Sequence, residues 1–234
     1  MLFKAASATL AGGALVAITA TSIAHGDTGI SNGASYTTST TSIDTSDGWH
    51  VTVGQLSGGN SAVATVFNNA SRASGRTMAA TVGTNNVFRT DADFDAHPTV
   101  IFRPTAVAQV LTGVYFWHHA AHPLDYVTTV VIDSRTARPI TLDDLFTDTQ
   151  AGLNRLSEQT KILLPAVYGR ASTPDGDLPG NAPLSKNFHN WVPTATGLEI
   201  HFEDYQFAHG LPVITVPWST LNDVLAPSMQ VLAQ

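Results

Sequence analysis

Three imidazoles stand within five residues at His118-His119-Ala120-Ala121-His122, and Pro123 and Asp125 follow closely. Imidazoles near a carboxylate are the raw material of a zinc site. Two features count against it here. On a strand, His118 and His119 would point to opposite faces. The helical His-Glu-x-x-His pattern is absent, because Ala120 and Ala121 stand between the histidines. A turn at a strand end with exposed imidazoles explains the same residues, so no metal or cofactor is assigned. Asp91-Ala92-Asp93-Phe94-Asp95 resembles the opening of a calcium loop. Such a loop needs Gly at position six and Glu at position twelve, where this chain has Ala96 and Phe102. An acidic turn or edge strand is the simpler reading. The carboxylate pairs Asp143-Asp144 and Glu203-Asp204 give no spacing that argues for glycoside chemistry. No catalytic set is assigned.

Aromatic residues supply the other candidates. Tyr115, Phe116, Trp117, Trp191 and Trp218 could line a carbohydrate- or protein-binding face, although strand aromatics are usually core. Trp191 lies in the loop-like stretch 187–193 and is the best candidate for exposure.

Composition limits the partners. Charged residues make up 12% of the 234 residues, against about a quarter in an average domain, so Ser, Thr, Asn and Gly must cover much of the surface. Hydrophobic residues at 43% are enough for a sizeable core. The net charge is −7, and the 11 Lys and Arg are scattered. Nucleic acid is therefore a poor partner, whereas a basic protein would be steered toward this surface. The chain has no cysteine, which rules out a disulfide framework, a thiol nucleophile and a lipoprotein anchor.

These candidates must be positioned by the elements around them. Residues 1–26 read as a secretory signal, with Lys4 before an uncharged apolar run and Ser22-Ile23-Ala24 at the cleavage site. An uncleaved anchor helix is the alternative and would be the chain's only link to a membrane. Residues 27–47 read as a flexible Gly/Ser/Thr-rich leader. Folding is expected from Trp49-His50-Val51-Thr52-Val53 onward. Asn60 or Ser61 caps a helix that Gly75 ends, and 79–82 and 86–89 are read as short strands. Strands follow at 99–102, 109–117 and 126–133, the last two as a hairpin around the histidine loop. Thr141 and Asp144 form a capping box. A helix over 151–164 stops at Pro165, and strands at 198–202 and 213–216 precede a last short helix. The class is α+β: a mainly antiparallel sheet with helices packed on one side.

The order of short motifs carries more than any one of them. His122-Pro123 closes a strand. Arg138-Pro139-Ile140-Thr141 leads into Leu142 to Phe146. Gly197 to Phe202, Asp204 to Ala208, and Ile214 to Ser219 complete the series. This series resembles the RsiV-like family of bacterial envelope domains, which is also similar to a secreted mycobacterial immunogenic antigen. The likeness covers residues 48–226 as one domain and leaves 227–234 as a C-terminal tail. Two departures stand out. The family's Gly-Gly-x-His-Pro corner has His119-Ala120-Ala121 before His122-Pro123, and the loop Tyr205 to Leu211 is shortened.

The resemblance implies location more than chemistry. Some members sense lysozyme as the outer part of a membrane-bound anti-sigma factor, others are secreted antigens, and related domains accompany cell-wall deacetylases. No cytoplasmic segment stands before the apolar run, so an anti-sigma factor is not expected. The expectation is a secreted or wall-associated, non-enzymatic domain that binds a basic macromolecule such as lysozyme. A secreted cell-wall or ester hydrolase and an antigen without a dedicated ligand are the other readings. The expected surface joins His118 to Asp125 with Tyr205 to Leu211. Its candidate binding residues are His119, His122, Pro123, Asp125, Trp191, Tyr205 and His209.

Overall fold

Asn32 and Gly33 both take positive φ, 49° and 72°, and turn the chain between β1 (Thr28–Ser31) and β2 (Ala34–Ile43). This is the Asn-Gly hairpin turn whose twist matches the flanking strands. It corrects the expected flexible leader. Along β2 the side chains of Tyr36, Thr38 and Ile43 are buried and their neighbours largely face water, so a Thr-rich strand forms half of a packed layer. The computed structural model describes residues 26–45, 48–86, 91–168 and 176–234. The signal segment lies outside them up to residue 25, as does most of the strand expected at 86–89. Among the described residues no helix is long and apolar enough to cross a membrane.

β2 continues antiparallel into β3 (His50–Gly58). Helix α1 (Ser61–Asn85) then crosses over to β4 (Ala92–Arg103), which meets β3 in parallel over only two register pairs. Asn60 starts α1 by accepting from the amides of Ala62 and Val63. The helix does not stop at Gly75, and the strand expected at 79–82 is its last turns. A Cβ on Gly75 would stand 2.6 Å from Val53 Cγ1, so the glycine lets helix and sheet approach rather than breaking the helix. Val63, Phe67, Met78 and Val82 form the buried face of α1. Each contributes roughly 1.5–3 kcal/mol by burial.

The hairpin of β5 (Ala106–Trp117) and β6 (Leu124–Asp133) brackets the histidine loop, as the sequence predicts. The pair β6–β7 (Arg138–Pro139) ends the sheet, whose order is β1-β2-β3-β4-β5-β6-β7. Alternation along β5 divides the molecule into layers. Val107, Leu111 and Tyr115 face the side covered by α1, while Ala106, Ala108 and Val110 face a second layer. That layer holds a three-stranded sheet of β8 (Trp191–Pro193), β9 (Gly197–His201) and β10 (Val213–Pro217). Helices α2 (Leu142–Leu145), α3 (Thr149–Tyr168) and α4 (Trp218–Leu221) complete it. The capping box of Thr141 and Asp144 is present. Helix α3 runs through Pro165 to Tyr168. Residues 227–234 are packed rather than a tail: Leu232 is buried, and Arg103 Nη2 donates to the Gln234 carbonyl. The class is α+β with a mainly antiparallel sheet.

Candidate functional site

The connection from β9 to β10 folds back over the start of β6, which joins the two loops singled out in the sequence. Asp204 organises the meeting. Its Oδ2 accepts the Asp125 amide at 3.1 Å. Its Oδ1 accepts the Gly210 amide at 2.6 Å and His209 Nδ1–H at 3.0 Å. The Asp204 side chain is only 7% exposed. Burial raises the pKa of that carboxyl, but the Asp125 and Gly210 amides, with His209, outweigh burial and hold it below the usual carboxylate range.

The rest of the loop is anchored from beneath. Gln206 Nε2 donates to the carbonyls of Gly180 and Asn187, and the Phe207 ring packs edge-on against Phe202. These inward contacts leave Tyr205 and His209 facing out. Tyr205 is 54% exposed and sits at φ 61°, a left-handed conformation uncommon for a residue with a large side chain. Its hydroxyl donates to His122 Nε2 at 3.0 Å, while His122 Nδ1–H donates to the Pro123 carbonyl at 2.8 Å. The His122 and His209 ring centroids are 4.5 Å apart. His122, Pro123, Asp125, Tyr205 and His209 thus come together around Asp204, which the sequence offers only as half of a carboxylate pair.

Two expected residues behave differently. Trp191 is 2% exposed, which removes it from any binding face. The stretch 187–193 contains β8 rather than a free loop. The Trp191 amide donates to Thr129 Oγ1, and its ring fills the space between the two sheets. His119 pairs through Nε2 with Asp91 at 2.8 Å, and His118 bridges Asp91 and Asp93 at 2.9 and 2.8 Å. The hydrogen bond to Asp93, opposed by desolvation and supported by the bond to Asp91, raises the His118 pKa. Of the two expectations for 91–95, an acidic turn or an edge strand, the structure shows a strand: Ala92 to Asp95 opens β4, and Asp91 and Asp93 pair with histidines.

Strand pairing adds Val114, which the sequence does not single out, and places Phe116, one of the aromatic candidates. Val114 is opposite Asp95 on one side and Asp125 on the other, and Phe116 is opposite Asp93. Directly opposed residues share a face. Val114 is 46% and Phe116 38% exposed, on the part of that face the second sheet leaves uncovered. An apolar strip framed by three carboxylates therefore runs from β4 across to the Tyr205 loop. Alternation could have revealed it, because Val114 and Phe116 have the opposite parity to the buried Tyr115.

The expectation that the chain holds no Gly-x-Ser-x-Gly pattern is wrong as it stands: Gly29-Ile30-Ser31-Asn32-Gly33 spells one. It lies in the β1–β2 hairpin. Ser31 is fully buried, with its Oγ 2.7 Å from both the Arg103 carbonyl and Ser134 Oγ. This is a structural hydroxyl, not a nucleophile at a strand-to-helix turn.

The sequence matches no protein-family model, and no curated protein resembles it significantly. Solved structures do share its fold. A DUF3298 family protein from Pseudomonas aeruginosa PAO1 superposes with a TM-score of 0.51 at 15% identity, over 83% of this chain and 94% of that one. A member of the same family from Bacteroides fragilis NCTC 9343 gives 0.55 at 13% identity, over 84% and 97%. At these identities the likeness is one of fold, shared with a bacterial domain of unknown function.

Proposed function

We propose that the chain is an exported domain of the RsiV-like kind that binds a basic extracellular macromolecule, lysozyme being the first to test. The observation that carries this reading is the uncovered strip of Val114 and Phe116. Asp93, Asp95 and Asp125 frame it, and the Asp125 amide ties its edge to Asp204 at the root of the Tyr205 loop. An apolar centre with an acidic rim fits a partner that presents cationic side chains around an aromatic or aliphatic patch. The net charge of −7 favours the same encounter. The signal-like first 26 residues support export, with the product secreted or held at the wall. Asp204 holds the loop in place before any partner arrives, so little ordering is required on binding.

Calorimetric titration of residues 27–234 with lysozyme at physiological salt tests the proposal. Saturable binding is expected. Raising the salt should weaken it, and so should Asp93→Asn with Asp95→Asn, by about tenfold or more. Absence of both a heat signal and a change in sedimentation at about 100 μM would exclude any affinity tighter than roughly millimolar and overturn the lysozyme reading.

A further inference from the structure

We propose that His209, Asp204, Asp125 and His122 form a binding site for a divalent transition-metal ion, zinc being the ion the donor set suits best. One ligand atom from each of Asp125, Asp204 and His209 lies within 4.8 Å of the other two. The His122 ring is 4.5 Å from the His209 ring, centroid to centroid. A tetrahedral zinc with bonds of about 2.0–2.2 Å brings its donors to roughly 3.4 Å of one another. Closing from 4.8 Å requires only side-chain shifts on the exposed His209 and half-buried Asp125. Two imidazoles and two carboxylates match zinc in softness and neutralise its charge.

The surrounding bonds prepare the site. The Pro123 carbonyl holds the proton of His122 on Nδ1, leaving the Nε2 lone pair outward. Metal-binding histidines are oriented by such outer hydrogen bonds. Asp204 is fixed by two backbone amides, so its carboxylate stays in place without the His209 proton. Tyr205 is the competitor, because its hydroxyl occupies the His122 Nε2 that the ion would take. This site differs from the His118, His119 and His122 set that sequence spacing suggests, since His118 and His119 are committed to Asp91 and Asp93. It does not depend on the lysozyme reading.

The test is zinc titration of residues 27–234 by calorimetry, with cobalt substitution read by visible absorption. The expected result is one ion per chain with a dissociation constant below about 10 μM, and a cobalt spectrum of tetrahedral intensity. His209→Ala and His122→Ala should each weaken zinc by about 100-fold. His118→Ala with His119→Ala should leave it unchanged. Tyr205→Phe should tighten it by about threefold to tenfold, the worth of one ordinary hydrogen bond. Circular dichroism confirms that each variant is folded. No stoichiometric binding overturns the proposal, as does binding that survives His209→Ala or is lost with the His118/His119 variant.

Discussion

Two polar clusters in this molecule each tie together strands that the main ladders do not join, and they do so in opposite settings. Under α1, Gln109 is fully buried between helix and sheet. Its Oε1 accepts the Gly54 amide at 2.7 Å, and its Nε2 lies 3.1 Å from Ser74 Oγ. The Ser71 hydroxyl lies 2.7 Å from both Gln109 Oε1 and the Gly54 carbonyl. No member of this cluster titrates. At the open end of the sheet, Asp204 plays the same bridging part with ionisable groups, and two of its associates, Tyr205 and His209, face water. A neutral network buried beneath a helix contributes to stability alone. A charged network with an exposed rim can also carry recognition, and it pays for that with sensitivity to pH.

Gln109→Leu gives the largest effect expected from this contrast. It leaves the buried Gly54 amide without its acceptor and takes one partner from each of the Ser71 and Ser74 hydroxyls, and should cost about 3 kcal/mol in urea unfolding. Partner affinity should not change. A loss under about 1 kcal/mol would mean that the network is dispensable and the contrast false.

Asp204→Asn comes next, at about 1–2 kcal/mol near neutral pH, because charge-assisted bonds become neutral ones. The sign of its pH dependence is fixed by its depressed pKa. The wild-type contribution is fully present above the ordinary value near 3.8 and is lost as pH falls through the lower folded value. Melting curves from pH 6 to pH 2 should therefore descend less steeply for the variant. Parallel curves would remove Asp204 as the organiser of the loop.

Tyr205→Gly separates binding from stability. Glycine accepts φ 61° without strain, which offsets the lost bond to His122, so stability should move by less than about 0.5 kcal/mol. Lysozyme binding should fall about tenfold. A large stability loss with intact binding would reverse the role given to this loop. The smallest effect belongs to His118→Gln. His118 has a raised pKa on an exposed ring. Its contribution is present below the ordinary 6.5 and fades as pH rises through the folded value. A slight change in melting temperature at pH 5.5, and none at pH 9, is expected.

The parts legible in the sequence were those where periodicity and packing agree. The β5–β6 hairpin and the Thr141 capping box follow from local patterns. The N-terminal hairpin was misread because composition outweighed pattern. Asn32-Gly33 is a strong turn signal, but Tyr36 and Ile43 are the only large apolar residues that β2 buries, and polar Thr38 completes its inner face. Gly75 was taken for a stop because a sequence does not show how closely another strand approaches. Trp191 was taken for a surface residue because its strand is three residues long and flanked by polar turns. The hub at Asp204 was hidden for a different reason. Two of its three donors are backbone amides, and backbone donors leave no mark in side-chain patterns.

The parallel seam between β3 and β4 has a mechanical consequence. It carries two register pairs, against eight between β2 and β3 and twelve between β4 and β5. Beyond this seam, the N-terminal hairpin and β3 are joined to the remaining strands through α1, the Gln109 bridge, and the bonds of Ser31 and Asn32 to Arg103, Pro104 and Ser134. Tension applied along the chain should part the molecule at this seam first. It would peel away a three-stranded flap while the layer that carries the Asp204 loop stays intact. A domain fastened at its N-terminal side could then yield to a pull without losing its grip on whatever the loop holds.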